Sequence, residues 1–566
     1  MILALALLLQ TASPVPSAPP LTPAQWAEDL DTLVAKVRRV HPRPFRRISS
    51  DQFAAMITSL RADIPRLRDD AIAVRMMALV ASLRDGHTSL SPFGKSVGFT
   101  RWYPVRFYRF TDGVFITAIQ PELARFNGAK VVRFGGIDAD RAADSAATLM
   151  GADNEFGARE HTMMLSSPEA MSALGINRSL DSLKLDVITR TGERASVRIG
   201  SVVIADANLD WLGNGEIDGP AGTKTVSVFG KTRRALLDPD SNSTLPLHVR
   251  GRRAYWYTPV PSARTMYIQL NAMVDKSVFS PITFVENYRR AFAYIDAHPG
   301  EIDRLVIDLR YNFGGNGDLV DALVHEVIKR DSSVNRTGHL FVLTGRKTFS
   351  AGADLLLQLR RHTAALVVGE PAGVGFNASG NPTVLTLPHS GFPVSISTNW
   401  GQSANSDDTT WTVPVEIPAQ FSSSDYLEGR DPALDVIFAT PAPFPTIVGT
   451  LERDGAAAGE RLFNERNAKY GNIAWWQPFK LNDINNLGYS LLSAKKADDA
   501  VTVFRLNTVR YPTSWYVWDS LSDAYTAANR RELAVEALRR ALELDPSNPE
   551  AANERRKVLE LGTARP

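Results

Sequence analysis

Ser350 stands in Thr348-Phe349-Ser350-Ala351-Gly352-Ala353-Asp354, directly after the apolar run Leu340 to Leu343 and at the opening of a stretch with helical spacing. A hydroxyl carried on a strand-to-helix turn projects out of its sheet, which suits a nucleophile. The pair Gly314-Gly315 follows the preceding apolar run. Backbone N–H groups of these glycines and of Ala351, at the helix start, can receive a developing oxyanion. Serine needs a base to take its proton, and the chain has nine histidines. His325 and His362 fall inside helical patterns and His389 in a Pro-Gly turn, whereas His87 sits on a short turn between Gly86 and Thr88. An acid must then orient the imidazole, and the loop Asn405-Ser406-Asp407-Asp408 supplies Asp408 as first choice, with Asp407 beside it. The chemistry expected of this set is acyl transfer.

Each residue alone has an ordinary explanation. Ser350 is a preferred helix-capping type, His87 suits the negative end of a helix dipole, and Asp407 and Asp408 suit a solvated loop. The glycine pair would serve a turn equally well, and no Gly-Lys-Ser/Thr follows it to make a nucleotide cradle. Company and order favour the catalytic reading.

The elements that must position these groups follow from periodicity. After Thr22-Pro23, Trp26, Leu30, Leu33, Val34 and Val37 recur at helical spacing until His41-Pro42. Further helices are predicted from Ser50, and from Asp70 to Gly86, the last delivering Asp85-Gly86-His87-Thr88 at its end. Short alternating strands follow at Val105 to Phe107, Val114 to Ile119, Lys130 to Phe134, Lys184 to Ile188 and Ala195 to Ile199. From Met266 onward strands alternate with helices: Met266 to Leu270, a helix from Phe284 to Ala297, Arg304 to Leu309, a helix from Asp318 to Arg330, the strand ending at Leu343, the Ser350 helix, and Ala365 to Val368. That order implies parallel crossovers with ligand sites at the carboxyl ends of the strands, where Gly314-Gly315 and Ser350 both fall. Near the C-terminus Leu487 and Leu521, Ala500 and Ala534, Phe504 and Leu538, and Pro512 and Pro546 repeat at an offset of 34 (521 − 487), a period that resembles tetratricopeptide repeats. Trp475, Trp476, Trp515 and Trp518 are expected to pack within these helices.

The boundaries read this way are a leader over 1–18, a helical unit carrying His87 over 22–95, a β-rich module over 100–205, a connecting segment over 206–262, a catalytic core over 263–445 and helical repeats over 450–566. The fold class is multidomain α/β. At 566 residues, with 44% apolar content and 34 prolines and 38 glycines spread through the sequence, the chain supports several cores. Lys and Arg number 63 against 61 Asp and Glu, so no basic excess argues for nucleic acid. Cysteine is absent, which excludes disulfides, thiol nucleophiles and cysteinyl metal sites. No cofactor or metal is called for. The apolar start, Met1 to Leu9, followed by a small, Pro-rich stretch, reads as an export signal too short to span a membrane, and places the protein in the periplasm or outside the cell.

Asp85-Gly86-His87-Thr88, Val306 to Gly315, Thr348-Phe349-Ser350-Ala351 and Gly369-Glu370-Pro371, in that order, resemble the successive motifs of the C-terminal processing peptidase and tricorn family of serine peptidases, over roughly 25 to 440. The resemblance implies a PDZ-like β module, with turns at Asn127-Gly128-Ala129 and Gly135-Gly136-Ile137, and a crotonase-like ββα-type core. One branch of that family uses a Ser-Lys dyad with its lysine after Gly369-Glu370; this chain reads Pro371-Ala372-Gly373-Val374-Gly375-Phe376 there. The tricorn-like branch uses Ser, His and an acid, and Ser350 and His87 match its first two positions. Asp407 and Asp408 fall in the third, where relatives commonly carry Glu. Asp354 stands where many relatives show Glu after the nucleophile, and is a candidate supporting group. By position the oxyanion hole is Gly315, or Gly314, with Ala351. The implied activity is a serine endopeptidase acting on extended polypeptide, with a further protein partner at the repeats. The alternatives are a catalytically silent binding protein on the same scaffold and a repeat-based interaction scaffold.

Overall fold

The computed structural model describes residues 20–93, 97–203, 226–228, 244–250, 253–277, 280–404 and 410–563. The leader read over 1–18, most of the connecting segment, and the loop holding Asp407 and Asp408 lie outside the described residues.

Helix α1, Pro23–Val40, begins at a capping box in which Thr22 and Gln25 satisfy each other's backbone N–H groups, and it buries Trp26, Leu30, Leu33 and Val37. Helix α2, Ser50–Asp63, starts at a second capping box, Ser49 with Gln52. Helix α3, Asp69–Ala81, is almost wholly buried through Ile72, Met76, Met77, Leu79 and Val80. The helix predicted to reach Gly86 therefore stops earlier. Arg84 turns left-handed at φ 52°, and the chain arrives at Asp85 already out of helical geometry.

The antiparallel module comprises β1 (Val105–Phe110), β2 (Gly113–Ile119), β3 (Lys130–Phe134), β4 (Ser182–Ile188) and β5 (Arg194–Gly200), paired in that order. Alternation directs Leu183, Leu185 and Val187 inward, where they share one apolar core with Trp26, Leu30 and Met76 of the helices. The same core takes Phe392, Val394 and Ile396 from far along the chain, and the two-residue strand Ser89–Leu90 pairs antiparallel with Ser395 and Val394. The turn carrying His87 is thus stitched to a hairpin that follows the Ser350 helix.

The second sheet is six-stranded: β6 (Tyr255–Val260), β7 (Thr265–Leu270), β8 (Arg304–Asp308), β9 (Leu340–Thr344), β10 (Leu366–Gly369) and β11 (Ile417–Pro418), in chain order. Only β6 is antiparallel to its neighbour; the rest are parallel. Strand β6 falls within the segment read as a connection, because its Pro259 and the Pro261-Ser262-Ala263 turn gave it the composition of a loop. The strand period of two divides the burial between two faces. Ile268, Leu305, Ile307, Leu340 and Val342 face α4 (Phe284–Ala297), α5 (Val320–Ile328) and α6 (Ala351–His362), whereas Tyr267, Val306, Phe341 and Leu343 face Leu434 and Ile437 of the helix Pro432–Ala439. A sheet covered on both sides reads as continuous apolar runs, which is why these strands were visible in sequence.

Beyond the sheet the chain is helical. Trp515–Ala527 and Arg531–Leu544 repeat Leu481–Ser493 and Ala497–Arg510 at an offset of 34 (515 − 481). Ala500, Phe504, Leu521 and Ala524 form the core between them. Trp475 and Trp476 are not on a helix: Ala456–Tyr470 ends before them, and Val415 forms a bridge with Trp476. Trp476 is buried and donates from Nε1 to the Glu416 carbonyl, while Trp475 meets Phe156 edge-on, so the pair joins the repeats to the sheet domain. Among the described residues, no helix is long and apolar enough to cross a membrane.

Candidate active site

Ser350 ends the loop after β9, at the N-cap of α6, and its hydroxyl makes no capping hydrogen bond. The ordinary explanation of a serine at a helix start is therefore absent. Its backbone stands at φ 51° and ψ −133°, a conformation that costs a non-glycine residue on the order of 1–3 kcal/mol. Neighbouring bonds enforce it. Thr348 Oγ1 donates to the Leu309 carbonyl at 2.7 Å and accepts from the Gly345 N–H at 3.1 Å, and the Phe349 N–H donates to the Asn312 carbonyl at 2.9 Å. The loop after β9 is thereby fastened to the loop after β8.

That second loop carries the glycine pair, and both glycines are needed. A Cβ on Gly314 would lie 2.5 Å from the Ser350 Cβ, and one on Gly315 would lie 2.2 Å from the Met273 carbonyl; both residues also have positive φ, 103° and 138°. Gly314 donates its N–H to Asn312 Oδ1 at 2.9 Å, whereas Gly315 and Ala351 donate theirs to no group among the described residues. Two backbone N–H groups on these adjoining loops therefore remain open among the described residues. The loop's base is held by Arg310, whose buried guanidinium forks onto Asp308 and Asp431 at 2.6 to 3.1 Å.

Glu370, in the Gly369-Glu370-Pro371 motif, receives Arg346 at 2.8 Å in a buried pair, and Arg346 also lies over the Tyr108 ring and donates to the Arg109 carbonyl at 2.8 Å. Burial pushes the Glu370 carboxyl up, but the Arg346 charge and the hydrogen bonds from Arg346 and Gln420 together hold its pKa below the usual range. These contacts bind the Ser350 loop to the antiparallel module, around a cavity of about 40 Å³ lined by Tyr108, Arg346, Lys347 and Glu370.

His87 reaches the same place from the other end of the chain. Its ring packs on Phe349, the residue before Ser350, with centroids 4.3 Å apart. Gly86 is required there, since a Cβ would come within 2.7 Å of the Phe349 ring. Asp85 builds the turn: it accepts the His87 N–H at 2.9 Å, Thr88 Oγ1 at 2.6 Å, Ser397 Oγ at 2.6 Å and His41 Nε2 at 2.9 Å. His41 Nδ1 accepts the Arg43 N–H at 3.1 Å, so its proton resides on Nε2 and is donated to Asp85. Burial alone would raise the Asp85 pKa, but these donors bring it down to about 2. Ser395 Oγ, donating to the His87 carbonyl at 2.9 Å, pins the turn from the hairpin side.

Neither imidazole nitrogen of His87 has a hydrogen-bond partner, and both are buried. Burial lowers its pKa below the ordinary 6.5, against the pull of ionised Asp85 and of the Ser379 backbone, so the ring is kept neutral and able to accept a proton. One oxygen each of Asp85 and Asp153 and one His87 ring nitrogen lie within 4.8 Å of one another.

The structure thus sets His87 on Phe349, the residue before Ser350, and Gly314 against Ser350 and Ala351, with Gly315 next in the same loop. Asp407 and Asp408 lie outside the described residues. Asp354 is exposed on α6, and its own N–H donates to the Ser350 carbonyl at 3.0 Å. His41, Asp153, Ser395 and Ser397 were not singled out in the sequence. Only His41, in a His-Pro dipeptide at a helix end, carried any local signal.

Residues 264–406 match the family model described as peptidase family S41. No curated protein matches the sequence. A point-mutant crystal structure of CPAF is similar at 12% identity and a TM-score of 0.51, over 72% of this chain and 95% of that one. That likeness is one of fold. The photosystem II D1 C-terminal processing protease aligns at 14% identity over 75% of this chain and 99% of that one, with a TM-score of 0.32. The tricorn protease aligns at 13% identity over 74% of this chain and 36% of that one, with a TM-score of 0.33.

Proposed function

We propose, for a chain that belongs to peptidase family S41 through residues 264–406 and is a serine peptidase, that Ser350 attacks the peptide carbonyl with His87 as its base. The observation that carries this reading is the uncapped Ser350 hydroxyl on a strained backbone, next to Phe349, on whose ring the His87 imidazole packs with both nitrogens buried. His87 takes the Ser350 proton as the Oγ–C bond forms, and the negative charge moves to the carbonyl oxygen. The Gly315 and Ala351 N–H groups, both open, receive that oxyanion; Gly314, already committed to Asn312, shapes the loop instead. His87 then returns the proton to the leaving amine, and water releases the acyl group from Ser350 by the reverse sequence. The sequence reading named Asp408, with Asp407 beside it, as the orienting acid; both lie outside the described residues.

The substrate is an extended polypeptide. In the same proposal the antiparallel module is PDZ-like and the terminal helix pairs are tetratricopeptide-like units that hold a protein partner. The test is hydrolysis of an unfolded protein such as reduced casein by the purified full chain. Cleavage that disappears in both Ser350→Ala and His87→Ala, with their circular dichroism unchanged, is the expected result. No cleavage by the wild-type chain, together with binding of the same polypeptide, would instead favour a silent binding protein.

A further inference from the structure

We infer that Asp153, from the β-rich half of the chain, is the positioning residue that orients His87. This inference rests on the reading of His87 as the base of Ser350. Asp153 is only 9% exposed, and its Oδ2 has no hydrogen-bond partner. A buried carboxyl oxygen without a donor is costly and calls for an explanation. A side chain placed to answer it is His87, whose two ring nitrogens are buried and have no hydrogen-bond partner, one of them within 4.8 Å of an Asp153 oxygen, with the Ser379 backbone also drawing on the ring and the Gly86 N–H on Asp153. Catalytic hydrogen bonds are often long in a free enzyme and tighten when substrate closes the site.

Asp85, the other carboxyl at this distance, is already committed. Its oxygens receive His41, Thr88, Ser397 and the His87 main chain, so its work is to build the turn rather than to grip the ring. Asp153 has an oxygen to spare. Burial pushes the Asp153 carboxyl well above its ordinary pKa, against the pull of the Gly86 N–H, Arg47 and Arg46; once ionised it is acceptor-only toward the imidazole N–H, which an amide is not.

The loop bearing Asp153 is held against the His87 turn too closely for the juxtaposition to be casual. A Cβ on Gly151 would meet the Asp85 carbonyl at 2.1 Å and the Thr88 carbonyl at 2.5 Å, and one on Gly86 would meet Asp153 Oδ2 at 2.8 Å. Asn154 Nδ2 ties the next residue to the Ala372 and Trp411 carbonyls at 2.9 and 2.8 Å, and Arg47 donates to the Asp153 carbonyl at 3.1 Å. The charged groups facing the His87–Asp153 pair are Asp85, Arg46 and Arg47. A rigid acid placed this way fixes the tautomer and angle of the base, the role a third residue plays in a serine triad.

The experiment compares Asp153→Asn and Asp153→Glu with Asp408→Asn and Asp407→Asn in the full chain. The first readout is the second-order rate of labelling by a fluorophosphonate, with its pH profile. We expect Asp153→Asn to slow labelling by about 10³- to 10⁴-fold, as tautomer errors do in other triads, Asp153→Glu to recover part of it, and the two loop variants to stay within about threefold of wild type. The second readout needs no activity: the downfield proton resonance of the His87 ring N–H in Ser350→Ala protein should be lost on adding Asp153→Asn and kept on adding Asp408→Asn. Loss with Asp408→Asn in either readout, and retention with Asp153→Asn, would overturn the inference. Should Asp153→Asn not fold, Asp408→Asn alone decides, a wild-type rate supporting Asp153 and a fall of about 10³-fold contradicting it. A wild-type chain that is never labelled contradicts the Ser350–His87 reading, and leaves the resonance to judge Asp153.

Discussion

At the scale of single residues the site depends on where glycine is compulsory and where a charge is held. Gly314 occupies φ 103° with its Cβ position 2.5 Å from the Ser350 Cβ. Gly314→Ala should therefore displace the nucleophile, and we expect a loss of proteolysis of about 10²-fold or more with circular dichroism little changed. His87 is pushed below 6.5 by burial, so it stays neutral and competent at lower pH than a free histidine. The acid limb of kcat/KM should accordingly lie below pH 6.5, and a limb above that value in a pH–rate profile would contradict the burial argument. Asp85 carries an electrostatic stake of its own: its pKa falls from 3.8 to about 2 because its donors outweigh its burial. A depressed carboxyl stabilises the fold above its unfolded pKa and ceases to do so as pH drops through its folded one. The shift corresponds to roughly 2 kcal/mol. Asp85→Asn should lower Tm at pH 7, and the gap to wild type should close between about pH 4 and pH 2.

At the scale of elements, the parallel strands and the Ser350 helix were legible in sequence because each obeys one simple period. Phe284–Ala297 is a helix with the predicted ends, since Thr283 caps it and the apolar stripe is unbroken. Strand β6 was missed because Pro259 and Pro261 mimic a loop; its pairing with β7 is decided by the neighbour, not by its own composition. The contact of Asp153 with the His87 turn was equally invisible: it depends on Gly151 and Gly86 letting two loops cross, and no spacing in the chain records that. Position alone named Ser350, Gly315 and His87, while the bond from Gly314 to Asn312, which separates the two glycines, exists only in three dimensions. Among the connections between elements, Arg346–Glu370 is one whose loss should be felt clearly. Removing one partner of such a buried pair costs about 3–5 kcal/mol. Arg346→Ala should therefore lower Tm clearly and reduce cleavage, whereas a Tm within 1 °C or so of wild type would show that the pair is not a fastening of the loop.

At the scale of the whole molecule, the proposed mechanism draws on distant stretches of chain. His87, the proposed base, comes from the helical start, its turn is closed by Ser395 and Ser397, and Ser350, the proposed nucleophile, rides on the sheet between them in sequence. The terminal helices meet this assembly through Trp476, which is 1% exposed. Trp476→Ala opens a large void there and should cost about 3–5 kcal/mol; limited proteolysis should then release the helical repeats as a fragment while the remainder keeps its resistance. The central claim, that His87 activates Ser350 as an acylated nucleophile, is met most directly by reacting the full-length protein with a fluorophosphonate and mapping the adduct by peptide mass spectrometry. We predict one stoichiometric adduct, on Ser350, formed at least about 10³-fold more slowly in His87→Ala. An adduct on another residue, or labelling of Ser350 at an unchanged rate without His87, would contradict the account.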